Sequence, residues 1–234
     1  MTAGRSGRAL LAATAGALLL AGCGSSSSGG EGNPAIVSPS STSAAPAAGG
    51  AAGCSAPPSA APQQQHYGSE PKLTIAPTTY TATIKTNCGT ITVAMDGKAA
   101  PHTVNSFVFL AGKHYFDNTK CHRLTTSGIY VLQCGDPTGT GTGGPGYQFR
   151  DENLKGATYP AGTVAMANAG PGTNGSQFFF VYADTQLSPN YTPFGKVTSG
   201  LDILKAIAAK GSNPPGDGAP NQPVVITSFT TTKG

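Results

Sequence analysis

Residues 165–181 read AMANAGPGTNGSQFFFV, and this stretch limits the possible folds more than any other part of the chain. It has too much Gly and Asn for a helix, and it ends in an aromatic run, Phe178-Phe179-Phe180, suited to a strand. Strand, polar glycine loop and second strand would leave exposed backbone groups beside an apolar floor. Such a rim suits gripping an extended peptide.

Around it, apolar residues alternate over Tyr80–Lys85 and Thr90–Met95, with Asn87-Cys88-Gly89 between them as a hairpin turn. Further strands are predicted at Cys121–Leu124, Ile129–Gln133, Thr163–Ala167, Gln177–Tyr182, Phe194–Val197 and Val224–Thr231. A helix is predicted from Pro101 to Ala111, with Pro in its first turn, Val104, Phe107, Val108 and Ala111 on one stripe, and Gly112 as its stop. A second, Leu201–Lys210, carries Leu201, Leu204, Ile207 and Ala208 on one side and is followed by Gly211. Many short strands with two helices predict a mostly β fold, a closed antiparallel barrel capped at its ends.

The first third of the chain cannot build a core. From Gly24 to Gln65, 33 of 42 residues are Ser, Gly, Ala or Pro, a composition that buries too little apolar surface to offset ordering entropy. Before it, Arg5 and Arg8 precede an apolar stretch, Ala9–Gly22, too short to span a bilayer. The predicted organisation is a leader (1–22), an unstructured tether (23–77) reaching roughly 40 Å, and one folded domain (78–234). The ending Leu20-Ala21-Gly22-Cys23 resembles the lipobox of bacterial lipoproteins, which implies a diacylglycerol on Cys23 and an acyl anchor, palmitate for example, on the outer face of the cell membrane. The formal charge of +4 includes Arg5 and Arg8, so the remainder is only weakly basic and no nucleic-acid partner is expected.

With Cys23 assigned to lipid, Cys54, Cys88, Cys121 and Cys134 remain, and an exported chain permits disulfides. If Arg123 and Gln133 share a strand face, alternation puts Cys121 and Cys134 on opposite faces. That parity, which a bulge would undo, favours Cys88–Cys121, with Cys54 free or intermolecular. A zinc site from three Cys and His122 lacks a C-x-x-C element, so no metal is expected. Gly141, Gly143 and Gly146 satisfy G-x-G-x-x-G, but Pro145 and the strand-like Tyr147-Gln148-Phe149 replace the helix a dinucleotide site needs. Cys121 and His122 are adjacent on a strand and cannot pair as nucleophile and base, and no G-x-S-x-G is present. His66, His102 and His114 read as surface residues.

Several motifs together carry a family resemblance spanning about Tyr80 to Thr231. They are Cys121-His122-Arg123-Leu124, Gln133-Cys134-Gly135-Asp136, Gly141 to Tyr147, Asp151-Glu152-Asn153, Met166 to Phe180 and Phe194-Gly195-Lys196-Val197. In this order they resemble the cyclophilin-type peptidyl-prolyl isomerases. The resemblance implies a closed eight-stranded barrel with a helix at each end and an exterior groove for X-Pro peptides, with no cofactor. It implies Arg123 as the catalytic group and Phe179 as the floor of a proline pocket, with Tyr130, Val131 and Leu187 around it. Gln133 and Gln177 would orient Arg123 and the peptide, and Ala167 and Asn168 would form the backbone rim. Met166 and Phe178, their neighbours by alternation, would face the core. Tyr191 stands where the family often has His and can still close the pocket, whereas Tyr130 and Val131 replace a frequent Phe and Met. The family's frequent Trp aligns near Gln186. The implied partners are proline-containing peptides and folding exported proteins, handled by a monomer. The alternative is a non-catalytic module that grips Pro-containing segments as a scaffold.

Overall fold

A computed structural model describes residues 53–234. The predicted leader, Cys23 and the tether as far as residue 52 lie outside the described residues.

Two long strands, β1 (Thr79–Thr86) and β2 (Gly89–Asp96), form a hairpin with Thr86 opposite Gly89, as the alternation requires. Tyr80, Ala82 and Ile84 on one strand and Ile91, Val93 and Met95 on the other are buried on one face. Helix α1 (Pro101–Gly112) follows and buries Val104, Phe107, Leu110 and Ala111. Gly112 is its last residue rather than its stop, and the chain reverses through His114 and Asn118 at φ 56° and 62°.

The next strands are short: β3 (Thr119–Lys120), β4 (Arg123–Thr125), β5 (Val131–Cys134), β6 (Thr163–Met166) and β7 (Phe178–Val181). β8 (Pro193–Ser199) leads into helix α2 (Leu201–Ala208), which buries Ile203, Leu204 and Ile207. β9 (Ser212–Asn213) and β10 (Asp217–Pro220), which like β3 are absent from the sequence prediction, precede the closing β11 (Val225–Lys233). All described strand pairings are antiparallel, in the order β3-β11-β1-β2-β8-β6-β7-β5-β4-β10-β9.

The expected closed eight-stranded barrel is therefore corrected to a curled sheet of eleven strands, mostly β with two helices. Its end strands, β3 and β9, are two residues long and do not pair with each other, so the hydrogen-bonded circuit stays open. The sheet has two apolar faces. The larger cluster includes the helices, Met166 and Phe178, and centres on Phe107, whose ring lies 4.7 Å from Phe194, 5.3 Å from Phe116 and 5.4 Å from Phe178. The smaller cluster, Val131, Tyr159, Ala165, Phe179 and Val181, lies on the opposite face of the same strands.

Both described disulfides differ from the expected pairing: they are Cys54–Cys88 and Cys121–Cys134. Strand parity misleads because β4 begins only at Arg123. Arg123 faces Gln133 across the ladder, yet the amide of His122 also donates to the Gln133 carbonyl at 3.1 Å. Two residues thus share one partner, alternation is lost before Cys121, and its sulfur meets Cys134. With all four sulfurs paired, none is available as the thiolate of the three-cysteine site considered with His122.

Residues 54–77, assigned from composition to the tether, carry no strand or helix but lie against the domain as a strap. Cys54 clasps one end, where Ser55 N–H donates to Asn87 O at 2.8 Å and Asn87 Nδ2 returns a bond to Ser55 O at 2.9 Å. Asn105, buried on α1, holds the other end by donating to the carbonyls of Pro71 and Lys72, both at 3.1 Å. Between them Glu70 meets His102 at 2.5 Å, and the Tyr67 ring packs edge-on to Phe109 with centroids 4.9 Å apart. No described helix is long and apolar enough to cross a membrane.

Candidate functional site

Register alone assembles the outer face. Arg123 on β4 lies opposite Gln133 on β5, Gln133 opposite Phe179 on β7, and Phe179 opposite Ala165 on β6. Side chains on one cross-strand row share a face. The next row, Leu124, Leu132, Phe180 and Val164, points into the main core. Strands advance about 4.8 Å sideways, so the backbones carrying Arg123 and Phe179 are roughly 10 Å apart. That span suits long side chains closing on one dipeptide unit.

The apolar half is a shallow dish floored by Phe179, which is 4% exposed, with Val131 and Val181 beside it. Leu187 and Tyr191 pack on its rim, the Tyr191 ring edge-on to Phe179 at 5.7 Å. Tyr159, which sequence reasoning missed, holds that rim: its hydroxyl donates to Tyr191 O at 2.8 Å and accepts from Tyr191 N–H at 3.1 Å. A lone Tyr in a turn-rich segment carries no periodic signal. Tyr130 is not brought to the dish. Alternation turns it to the other face, where its ring lies 6.0 Å from Tyr182.

The polar half is a directed chain of hydrogen bonds. Asp217 on β10, also missed from sequence, accepts from Arg123 Nε and Nη2, both at 2.7 Å. Arg123 Nη1 donates to Gln133 Oε1 at 3.3 Å, and Gln133 Nε2 donates to Gln177 Oε1 at 2.9 Å. Gln177 Nε2 in turn donates to the carbonyls of Gly141 and Gly143, both at 2.9 Å. Bonding to Asp217 raises the already high pKa of Arg123 against the opposing effect of burial, and the same bonds lower that of Asp217. A guanidinium has five N–H donors. Three are committed here, leaving one on Nη1 and one on Nη2 for a substrate.

Ala167 and Asn168 border a groove of about 770 Å³ that shares Gln133 and Gln177 with the Arg123 chain and is walled by the Gly-rich loop 141–146. Asn168 Nδ2 donates to Asn190 O at 2.8 Å, tying the groove's rim to that of the dish. Asp136 holds the loop. Burial pushes its carboxyl pKa up, but bonds from the Thr138 hydroxyl and from the amides of Thr138, Gly141 and Gly143 outweigh that and bring it below the usual range. Gly135 permits the crossing beneath: at φ +89° a side chain there would collide with the carbonyl of Ser176.

Fold and site define an antiparallel β-protein with a cation fixed beside an exterior apolar dish and a peptide-sized groove. The profile of the family described as "Cyclophilin type peptidyl-prolyl cis-trans isomerase/CLD" matches residues 81–231, and the chain belongs to that family. It is 49% identical over 173 residues to a "Probable peptidyl-prolyl cis-trans isomerase B" of Mycobacterium leprae, covering 68% of this chain and 59% of the relative. A protein of the same name from Mycobacterium tuberculosis is 48% identical over 172 residues, 67% of this chain and 56% of the relative. The chain thus spans less than two thirds of these curated relatives. Among solved structures, a cyclophilin-type peptidyl-prolyl cis-trans isomerase of Cryptosporidium parvum is similar with a TM-score of 0.59 and 30% identity, over 67% of this chain and 99% of that one. The same protein in the presence of the dipeptide Ala-Pro gives 0.59 and 32%, over 66% and 99%.

Proposed function

We propose that the chain accelerates cis–trans rotation of X-Pro bonds in exported proteins, with Arg123 stabilising the twisted amide and the Phe179 dish holding the proline ring. The observation that carries this is the single row Arg123–Gln133–Phe179–Ala165, which puts a fixed cation and an apolar floor on one face within reach of one dipeptide. Amide resonance imposes a barrier of about 18–20 kcal/mol, and uncatalysed prolyl rotation takes tens of seconds or more. No bond breaks, so a catalyst needs only to bind the rotated form better than either planar one. Twisting returns a lone pair to the proline nitrogen. A free N–H of Arg123, held by Asp217 and Gln133, can donate to that nitrogen without reorganising. Ala167 and Asn168 offer backbone along which the peptide lies, and Val131, Leu187 and Tyr191 exclude water from the ring.

A protease-coupled assay on a Pro peptide tests this. Wild type should beat the uncatalysed rate, and Arg123→Ala should lose about 10²–10³ of kcat, the scale for removing one preorganised donor. Full activity in Arg123→Ala would refute the assignment. Binding without acceleration would favour the scaffold alternative.

The exported, membrane-anchored setting is part of the same proposal. It is supported by the basic-then-apolar start, by Cys23 after Leu20-Ala21-Gly22, and by two disulfides, which persist in oxidising compartments. Mass spectrometry of the mature N-terminus decides it: an unmodified Cys23 excludes the lipid anchor.

A further inference from the structure

Beyond the motif-bearing domain, the strap supplies part of the groove. Tyr67 N–H donates to Pro145 O at 2.8 Å, which sets the strap against the Gly-rich wall. Gly146, at φ +89°, leaves room for it: a Cβ there would lie 2.8 Å from the Tyr67 carbonyl oxygen and 3.5 Å from the Cβ of His66. His66 thereby lines the groove of about 770 Å³ together with Ala167, Asn168 and Gln177. Its ring has no hydrogen-bond partner among the described residues, whereas the other titratable lining group, Tyr147, is tied to Ser106 at 2.8 Å and is pushed up to about 12 by burial. Among the described residues, no Asp or Glu lines the groove. The one unengaged ionisable group facing it is therefore a histidine, a hydrogen-bond donor that also carries positive charge when protonated.

We propose that His66 is a specificity-determining residue: it selects substrates with a carboxylate side chain a few residues from the proline. This rests on the isomerase reading for its kinetic consequence but not for its binding consequence. Gln133 and Gln177 belong to both the Arg123 chain and the groove wall, so a peptide with its proline on Phe179 continues into the groove. A side chain entering there meets Gln177, Asn168 and backbone carbonyls of the loop, and among the described residues that line the groove His66 alone can offer it a cation. The strap keeps His66 in place by the Cys54–Cys88 clasp, by Tyr67 on Phe109 and by Asn105. The selectivity is thus a property of the strapped chain rather than of the barrel-like sheet alone.

The test uses the full chain and a set of Pro peptides with Glu or Lys placed singly at each of three positions on either side of the proline. Both kcat/KM and affinity by calorimetric titration are measured. At one position Glu should exceed Lys by about five- to tenfold, the scale of one charge-assisted hydrogen bond partly screened by water. His66→Ala should bring that ratio close to unity, His66→Arg should restore or exceed it, and Tyr67→Ala should lower it by loosening the strap. Equal Glu and Lys values at all positions in the wild type, or an unchanged ratio in His66→Ala, overturns the proposal. Absence of acceleration on any peptide would instead defeat the isomerase reading, and the affinity ratios would still decide the role of His66.

Discussion

Removing Asp217 isolates what fixes the guanidinium. Asp217 takes two bonds from Arg123 at 2.7 Å, while Gln133 takes one at 3.3 Å, so the carboxylate is the main clamp. The pair is accessible, with side chains 39% and 56% exposed, and exposed ion pairs are worth about 0.2–1 kcal/mol. If that energy holds the productive rotamer, Asp217→Ala lowers its population about 1.4- to fivefold, since about 1.4 kcal/mol is tenfold. An opposing effect exists, because losing the carboxylate leaves the guanidinium a stronger electrophile. At about 7 Å in water, two unit charges interact by only about 0.6 kcal/mol, and the developing lone pair carries less than a unit charge. Positioning therefore wins over most of that range.

Asp217→Ala should lose about 1.4- to fivefold in kcat with little change in KM, far less than Arg123→Ala. Asp217→Asn, which keeps one acceptor, should fall between Ala and wild type. High salt screens the pair and should move the wild type toward the variant. The assay is kcat and KM on one Pro peptide for the three proteins, with thermal melts to confirm folding. A variant as fast as wild type or faster would refute the clamp argument, and a loss as large as that of Arg123→Ala would show that Asp217 does more than position.

Two adjacent phenylalanines should separate folding from function. Phe178→Ala opens the fully buried main core and should cost about 3–5 kcal/mol in a denaturant titration, whereas Phe179→Ala, in the smaller outer cluster, should cost less yet lose most isomerase activity. The reverse ranking would place the dish wrongly. His122 should impose an acid sensitivity. Burial lowers its pKa, aided by Lys120 and Arg123 and opposed by Asp136, and neither ring nitrogen has a partner. The unfolded chain thus binds the proton more readily, near pH 6.5. The His122 contribution to stability is complete above that pH and is lost as pH falls toward the lower folded value. Urea midpoints from about pH 7 to 5 should fall less steeply in His122→Gln than in wild type, and parallel slopes would exclude this role.

The legible and illegible parts of the site differ in how their residues are held. Tyr80–Lys85, Thr90–Met95 and the stripe on α1 announce themselves because each buries one face against a common core, so local period and tertiary packing agree. Arg123, Gln133 and Phe179 inherit that legibility, since alternation places them once their strands are recognised; parity carried past the start of β4 misplaces the Cys121 partner, whereas the family resemblance sets Tyr130 in the dish against its own strand alternation. Asp217 belongs to another category. Its strand, Asp-Gly-Ala-Pro, has no apolar face and exists because Asp217 and Gly218 pair with Thr125 and Leu124. The strap is similar. Its Ser/Ala/Pro average predicts disorder, yet Cys54, Tyr67 and Glu70 each meet a specific partner on the domain. Composition averages over such single anchors, and periodicity cannot register contacts that occur once. The row Arg123–Gln133–Phe179–Ala165 is thus written in the strands, while the groups that hold Arg123 and border the groove are fixed by tertiary contacts. Substitutions at Asp217, Tyr67 or Cys54 should accordingly tune the site more readily than they unmake the fold.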